Sequence, residues 1–268
     1  MDLVFDERPS GSPFVETIWR SWSEKASPFI SMADSHYAMV IAKTGGKTVL
    51  TVRGPETKAT SAQERANVEH FGIRFRPGVF MPYMPAKMVI DRRDLNLPEA
   101  TSRSFWLNGS AWEFPDYENA DTFVDWLIRD SLLVYDPVVE AVLKGQPVDL
   151  SLRSVQRRFL QATGLSHNTL YQIERARYAT TLLMQGMSIL DTVFQAGYFD
   201  QPHLTRSLRH FIGMTPAQIV DQNRIERLSF LYKTKPLAVA TIQSEKVHFE
   251  KNHHIRVLTL EGAREAAE

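Results

Sequence analysis

The chain has 268 residues, 43% of them hydrophobic and 23% charged, and its 31 Lys and Arg balance 31 Asp and Glu. This composition excludes an intrinsically disordered chain, the lack of an apolar run of about 18 residues excludes a transmembrane helix, and the lack of cysteine excludes disulfides and thiolate chemistry. The N-terminal segment lacks the basic and apolar regions of a secretory signal, so we expect a cytoplasmic protein of one or two domains.

The N-terminal half has the patterns of a β-rich α+β region. Residues 37–54 predict a β-hairpin, because two runs rich in β-formers flank Gly45 and Gly46. Residues 71–78 alternate apolar and basic side chains, as in a half-buried strand. Residues 119–135 predict a helix. Its expected apolar face comprises Phe123, Trp126, Leu127 and Leu133. We therefore predict a first domain over residues 1–136.

Nothing in this half predicts an enzyme. The first 137 residues contain two histidines, His36 and His70, and no P-loop, nucleophile elbow or dinucleotide fingerprint. His36 and Asp34 are interpreted as a surface or capping pair. The aromatic residues Trp106, Trp112 and Phe114 are expected in the core rather than around an effector, whereas Arg74 and Arg76 fit either an anionic ligand or the wet side of a strand. We expect no cofactor and no metal ion.

A repeat occurs in the C-terminal half. Residues 151–166 align without gaps with residues 200–215, at an offset of 49. Each copy predicts a helix, at about 152–162 and 201–211, with Ser151 and Asp200 as N-caps and Gly164 and Gly213 at the ends. Ser166 and Thr215 are positioned to cap the next helices, and Pro216 suits a first helical position.

Each helix of the repeat has an apolar stripe and a polar stripe. The apolar stripes are Val155 with Phe159 and Leu204 with Leu208. The polar stripes are Arg153, Gln156 and Arg157 in the first copy, and Gln201, Pro202, Thr205, Arg206 and Arg209 in the second. Arg and Gln form bidentate hydrogen bonds with base edges in the major groove, and Thr contacts a thymine methyl. The stripes therefore favour groove reading, although exposed arginines also occur as plain solvated surface.

The segments around the repeat predict two helix-turn-helix units on one connector. Residues 136–145 and 188–199 each predict a helix and turn before a repeat copy, although the first turn is three residues longer. A helix over 167–184 would be roughly 27 Å long at 1.5 Å per residue. With the widths of the two helices added, this length suits the spacing of about 34–36 Å between successive major-groove faces.

Residues 137–222 resemble the C-terminal DNA-binding domain of AraC-type transcriptional regulators. The motifs that carry the resemblance are RSVQRRFLQATGLS, IERARYATTLL and AGYFDQPHLTRSLRHFIGMTPAQI. GIRFRPG and RSFWLNG in the first half are similar to an N-terminal domain found on some of these regulators. The resemblance implies base contacts by both polar stripes and a phosphate contact by Arg209. Pro202 departs from the pattern because its side chain has no hydrogen-bond donor.

We therefore expect a sequence-specific transcription regulator that binds double-stranded DNA. Its further expected partners are a small-molecule effector in the N-terminal domain, a second copy of the chain and, for an activator, RNA polymerase, with no membrane. The alternatives are an adaptor that uses the helical pairs for protein contacts and a small-molecule-binding protein with a vestigial DNA-binding domain. Residues 223–268 form a C-terminal extension in which 237–243 and 255–262 have strand patterns.

Overall fold

The computed structural model describes residues 4–92 and 95–221, together with the backbone of three two-residue strands further on. The strands are β1 Val4–Arg8, β2 Val15–Ser23, β3 Ser27–Ser31, β4 Ala38–Thr44, β5 Lys47–Arg53, β6 Thr60–Glu64, β7 Val68–Phe75, β8 Val79–Phe80, β9 Leu95–Asn96, β10 Glu99–Thr101, β11 Ser104–Leu107, β12 Ser110–Glu113, β13 Val134–Tyr135, β14 Arg227–Leu228, β15 Val247–His248 and β16 Arg256–Val257. The helices are α1 Ala86–Val89, α2 Ala120–Arg129, α3 Pro137–Leu143, α4 Leu152–Thr163, α5 His167–Met184, α6 Ile189–Gln195, α7 Gln201–Phe211 and α8 Pro216–Val220. The fold is α+β, as expected, with a β-rich N-terminal region followed by a helical region.

The β-rich region is built on a six-stranded antiparallel sheet in the order β1-β2-β7-β4-β5-β9. The predicted hairpin is confirmed as β4 and β5, joined by Gly45 and Gly46 with φ of +55° and +77°. Strand β7 lies between β2 and β4, and its end from Phe71 to Phe75 is buried on both faces. The prediction of a half-buried strand over 71–78 is therefore wrong. Arg74 is buried, and Arg76 is exposed but lies beyond the end of β7.

The predicted helix over 119–135 is shorter in the structure. Helix α2 ends at Arg129, because Ser131 takes a φ of +55° that turns the chain out of the helix. Leu133 is buried as predicted but lies beyond the helix, whereas Trp126 is 47% exposed. Trp112 and Phe114 pack against the core, as expected, while Trp106 is 47% exposed.

A small second sheet connects the β-rich region to the helices. Strand β3 pairs with β6 on one side and with β14 on the other. Ile30 of β3 and the following Met32 pack in one buried cluster with side chains from α5, α6, α7 and α8. Two backbone hydrogen bonds add to this contact, from the Ala33 N–H to the Phe211 carbonyl (2.7 Å) and from the Ala59 N–H to the His210 carbonyl (2.9 Å). The β-rich and helical regions therefore share a core.

The tail is described only in part. Within 255–262, Arg256–Val257 pairs antiparallel with Val247–His248, and the predicted strand at 237–243 lies outside the described residues. Across the described part of the chain, no helix combines the length and apolar character needed to cross a membrane.

Candidate nucleic-acid interface

The two copies of the repeat form matching capped helices, α4 and α7. The side chain of Ser151 accepts a hydrogen bond from the Ser154 N–H, and Asp200 accepts one from the His203 N–H. Gly164 ends α4 with a φ of +72°, and Gly213, with a φ of +83°, follows Ile212, the C-cap of α7. These glycines adopt the left-handed backbone conformation that ends a helix, and the chain then continues to the residue that caps the next helix. The predicted bounds of both helices agree with the structure to within one residue.

The next helices start as the sequence predicts. Ser166 caps α5 by accepting from the Thr169 N–H, and Thr215 forms a reciprocal capping box with Gln218. Pro216 occupies the first position of α8. Upstream of α7, Ser188 caps α6 through the Asp191 N–H. The predicted helix-turn-helix pair α6–α7 is therefore present.

The first pair, α3–α4, has a longer turn, and a salt bridge connects its two helices. Asp136 caps α3 by accepting from the Val138 N–H. The same carboxylate accepts from Arg158 Nε at 2.9 Å and from Arg158 Nη2 at 2.7 Å. This bidentate pair ties α4 to the start of α3 across the turn 146–150.

The helices bury their apolar stripes and expose their polar stripes. Val155, Phe159, Leu204 and Leu208 are each at most 4% exposed. All eight candidate DNA contacts lie on the other side: Arg153, Gln156, Arg157, Gln201, Pro202, Arg206 and Arg209 are exposed, and Thr205 is half-buried. Within residues 4–92 and 95–221, no carboxylate forms an ion pair with any of the four arginines in this set. Their positive charges are therefore directed to solvent.

Helix α5 separates the two pairs and is buried on most of its circumference. Leu170, Ile173, Ala176, Ala179 and Leu183 form its apolar contacts, as predicted. Its charged residues Glu174, Arg175 and Arg177 are buried as well, which the sequence analysis missed. The apolar spacing of α5 predicts a single buried face, and nothing in it indicates that the charged residues on the other side are buried too.

Arg175 supports the turn between α6 and α7. Its guanidinium carbon lies 4.2 Å from the centre of the Tyr198 ring, and Nη1 donates to the Gly197 carbonyl at 3.4 Å. Burial raises the pKa of the Tyr198 hydroxyl, which lies 2.9 Å from Ser207 Oγ of α7. Arg175 therefore helps to fix the position of α7 through the buried turn before it and is not part of the polar stripe.

Arg177 enters a buried ion cluster with the β-rich region. Asp34 Oδ1 accepts from Arg177 Nη1 at 3.0 Å and from Arg74 Nη2 at 2.8 Å. Arg74 Nε donates to Glu16 at 2.5 Å, and Ser35 Oγ donates to Glu174 at 2.7 Å. The cluster thus joins strands β2 and β7 and the segment 34–36 to helix α5.

Charges in the cluster stabilise one another in spite of burial. Burial alone would raise the pKa of Asp34, but the interactions with Arg74, His36 and Arg177 outweigh it and hold that pKa below its ordinary value. Burial alone would lower the pKa of Arg74, but Asp34, Glu16 and Glu174 raise it. Both partners therefore stay ionised, as a buried pair requires.

The cluster corrects two interpretations. Asp34 and His36 are not a surface pair: both are buried, and Nδ1 of His36 lies 2.8 Å from Asp34 Oδ1. Arg74 faces neither a ligand nor solvent, because protein carboxylates hold it. Ligand atoms of Asp34, His36 and Glu174 lie within 4.8 Å of one another, as a metal site requires. Since two guanidinium groups already neutralise these carboxylates, the arrangement favours an ion-pair cluster.

One comparison with known proteins gives a match. Residues 146–222 match the family model described as a helix-turn-helix domain. This segment covers α4 to α8, together with the turn before α4, and leaves out the β-rich region. Comparison with the curated proteins and with the solved structures gives no match.

Proposed function

We propose that the protein is a sequence-specific transcription regulator whose helices α4 and α7 read successive major-groove faces of one duplex, because residues 146–222 match the family model of a helix-turn-helix domain. The match to a helix-turn-helix domain supports DNA binding and a role in transcription regulation. The assignment of two reading helices and of their contact residues is the part that we propose.

The observation that carries the proposal is the pair of exposed polar stripes. Each stripe begins in the first turns of a capped helix, and each is held outward by a buried apolar stripe on the opposite side. Four exposed arginines, none of them ion-paired with a carboxylate among the described residues, make these surfaces attractive to phosphates, and Gln156 and Gln201 add side chains that fit base edges. Solvation alone does not require the same polar stripe on two helices, so the duplication favours DNA contact over plain solvated surface.

The roles of the stripe residues follow from their chemistry. We assign base contacts to Arg153, Gln156 and Arg157 on α4. On α7 we assign base contacts to Gln201, Pro202, Thr205 and Arg206, with Pro202 limited to apolar contact and Arg209 placed against a phosphate. A small-molecule effector, a second copy of the chain and, for activation, RNA polymerase complete the proposed set of partners.

A salt titration tests the proposal. Binding of the full chain to a duplex enriched from random sequence is measured by fluorescence anisotropy at increasing salt. Log K should fall linearly with log salt at a slope of about −0.9 for each phosphate contact. An unselected duplex of equal length, which shares the phosphates but lacks the chosen bases, is the control and should bind about 10³-fold or more weakly. A salt-independent affinity would instead indicate an adaptor, and equal affinity for both duplexes would rule out base reading.

A further inference from the structure

A polar cleft lies between the second sheet and the main sheet, about 580 Å³ in volume. One wall is the outer face of β4, β5, β7 and β9, and the other is formed by β3 and β6. Its volume is within the range of about 300–1,000 Å³ that is typical of small-molecule sites. The size therefore suits one metabolite rather than a polymer.

The charged side chains around the cleft are mostly cationic. Lys47, Arg53 and Arg65 line it together with a single acidic residue, Glu56. The Nε atom of Arg53 is buried and has no hydrogen-bond partner within the described part of the chain. Arg53 as a whole is only half-buried and lines the cleft, so the accessible part of its guanidinium can donate to an acceptor there.

A histidine beside Arg53 adds a neutral group to the cleft. His70 also lines the cleft, and burial together with the charge of Arg53 lowers the pKa of its ring to about 4. At neutral pH the ring is uncharged and accepts or donates one hydrogen bond at each nitrogen. Thr51 and Asn96 add further polar groups on the same wall. The cleft thus combines cations with neutral hydrogen-bonding groups.

We propose that this cleft binds a small organic anion, with its carboxylate or phosphate group held by Arg53 and a second cation from Lys47 or Arg65. The neutral groups would contact the rest of the ligand. Charge-assisted hydrogen bonds from a guanidinium to either acid are short and directional, which gives the site its selectivity over uncharged analogues.

Strand β3 connects the cleft to the second recognition helix. Alternate residues of a strand point to opposite faces, and here Phe29 and Ser31 line the cleft while Ile30 packs against the helices. A Cβ added to Gly213 would lie 2.8 Å from Ile30 Cγ2, which shows how closely the end of α7 approaches β3. A ligand that shifts β3 would therefore shift the C-terminal end of α7.

Ligand binding is tested on the full chain by isothermal titration and thermal unfolding, at constant ionic strength. Succinate and citrate represent carboxylates, and glycerol 3-phosphate represents phosphates. Succinamide and glycerol are the uncharged controls. At millimolar concentration, at least one of the three anions should raise the melting temperature, since a ligand that binds only the folded state stabilises it. The proposal is overturned when none of the anions does so, or when the uncharged controls act equally.

Variants locate the site. Arg53→Gln and, on the exposed rim, Lys47→Gln should each weaken anion binding, with Arg53→Gln lowering affinity about tenfold or more. Arg103→Gln, which removes an exposed arginine that does not line the cleft, is the matched control and should leave affinity unchanged. Equal effects of Arg53→Gln and Arg103→Gln would contradict the assignment, and Lys47→Gln keeps the test available if Arg53→Gln fails to fold.

Transmission to α7 is measured by hydrogen–deuterium exchange on the peptide covering 208–214, with and without the anion. A changed exchange rate there supports the coupling, and an unchanged rate with a bound ligand overturns it. Neither measurement uses DNA, so a failure of the proposed gene-regulatory function would leave both results intact. The effect of the anion on DNA affinity, in contrast, rests on that function.

Discussion

The seven arginines between residues 153 and 209 fall into two physical classes. Arg158, Arg175 and Arg177 are held by protein groups: a carboxylate, an aromatic ring and a buried ion cluster. Arg153, Arg157, Arg206 and Arg209 are exposed and lie on the polar stripes. The sequence alone does not distinguish these two classes, whereas the structure leaves four of the seven arginines accessible to a partner.

Substitution of the exposed arginines should separate base contacts from phosphate contacts. Arg206→Ala should cost about 1–3 kcal/mol at one base position and relax the preference there, because a bidentate contact with a base is lost. Arg157→Ala should do the same at another position. Arg209→Ala should weaken binding to every sequence alike and reduce the salt slope by about one phosphate.

Competition binding against a set of single-base operator variants measures these effects. Arg129→Ala, an exposed arginine at the end of α2, is the control and should leave DNA affinity unchanged. Equal losses on operator and random duplexes for Arg157→Ala, Arg206→Ala and Arg209→Ala would refute base reading by these side chains.

Sequence periodicity predicted the exposed stripe residues because a 3.6-residue repeat determines which side of a helix faces out. It did not predict the partners of Arg74 and Arg177. Asp34 is 40 residues from Arg74 and 143 residues from Arg177, and the contacts form only when the β-rich region packs on α5. A buried charge with so distant a partner leaves no local pattern.

At the scale of elements, local signals account for what was predicted. The caps of α4, α5, α6, α7 and α8 each depend on a side chain within a few residues of the helix start, and all five are present. The early end of α2 was missed because 119–135 keeps apolar residues at helical spacing beyond Arg129. There Leu132 and Leu133 donate their N–H groups to the Leu127 carbonyl in a turn. The packing of β3 on the helices had no sequence signal.

A pair of glycine substitutions measures how closely the β-rich region packs against α7. Gly213 and Gly186 both have positive φ, of +83° and +88°, so alanine strains the backbone by a similar amount at each. A Cβ at Gly213 would also meet Ile30 and Ala59, whereas one at Gly186 has nothing within 4 Å. Gly213→Ala should therefore lower the free energy of unfolding by about 1–3 kcal/mol more than Gly186→Ala.

Chemical denaturation of the two variants provides the comparison. A similar loss of stability in both would show that α7 does not depend on close packing against β3. The transmission path from the cleft would then lose its structural basis.

At the scale of the whole molecule, the buried ion cluster and the shared core join the β-rich and helical regions, so we expect the two regions to unfold together. Breaking a buried ion pair by removing one partner leaves an uncompensated charge, which typically costs about 3–5 kcal/mol. Asp34→Asn should destabilise the protein by about this amount, because both Arg74 and Arg177 lose their shared carboxylate. Arg20→Gln, which breaks the exposed pair with Asp6, should cost less than about 1 kcal/mol.

The lowered pKa of Asp34 also determines how the free energy of unfolding should change in acid. The pKa of Asp34 is held below its ordinary value of 3.8, so its contribution to stability is complete above that pH. As the pH falls below about 4, the unfolded chain takes up a proton that the folded chain does not, and the free energy of unfolding decreases. Asp34→Asn should show a shallower decrease in denaturation curves collected across this interval. An unchanged slope would contradict the assigned charge state.

The central claim, that α4 and α7 read one duplex together, is tested most directly by hydroxyl-radical footprinting of the full chain on a selected operator. Two protected segments should appear, centred about 10–10.5 base pairs apart, with protection weakened mainly at one segment in Arg157→Ala and mainly at the other in Arg206→Ala. Insertion of about half a helical turn between them should abolish simultaneous protection. A single protected segment, or full protection after the insertion, would contradict the account.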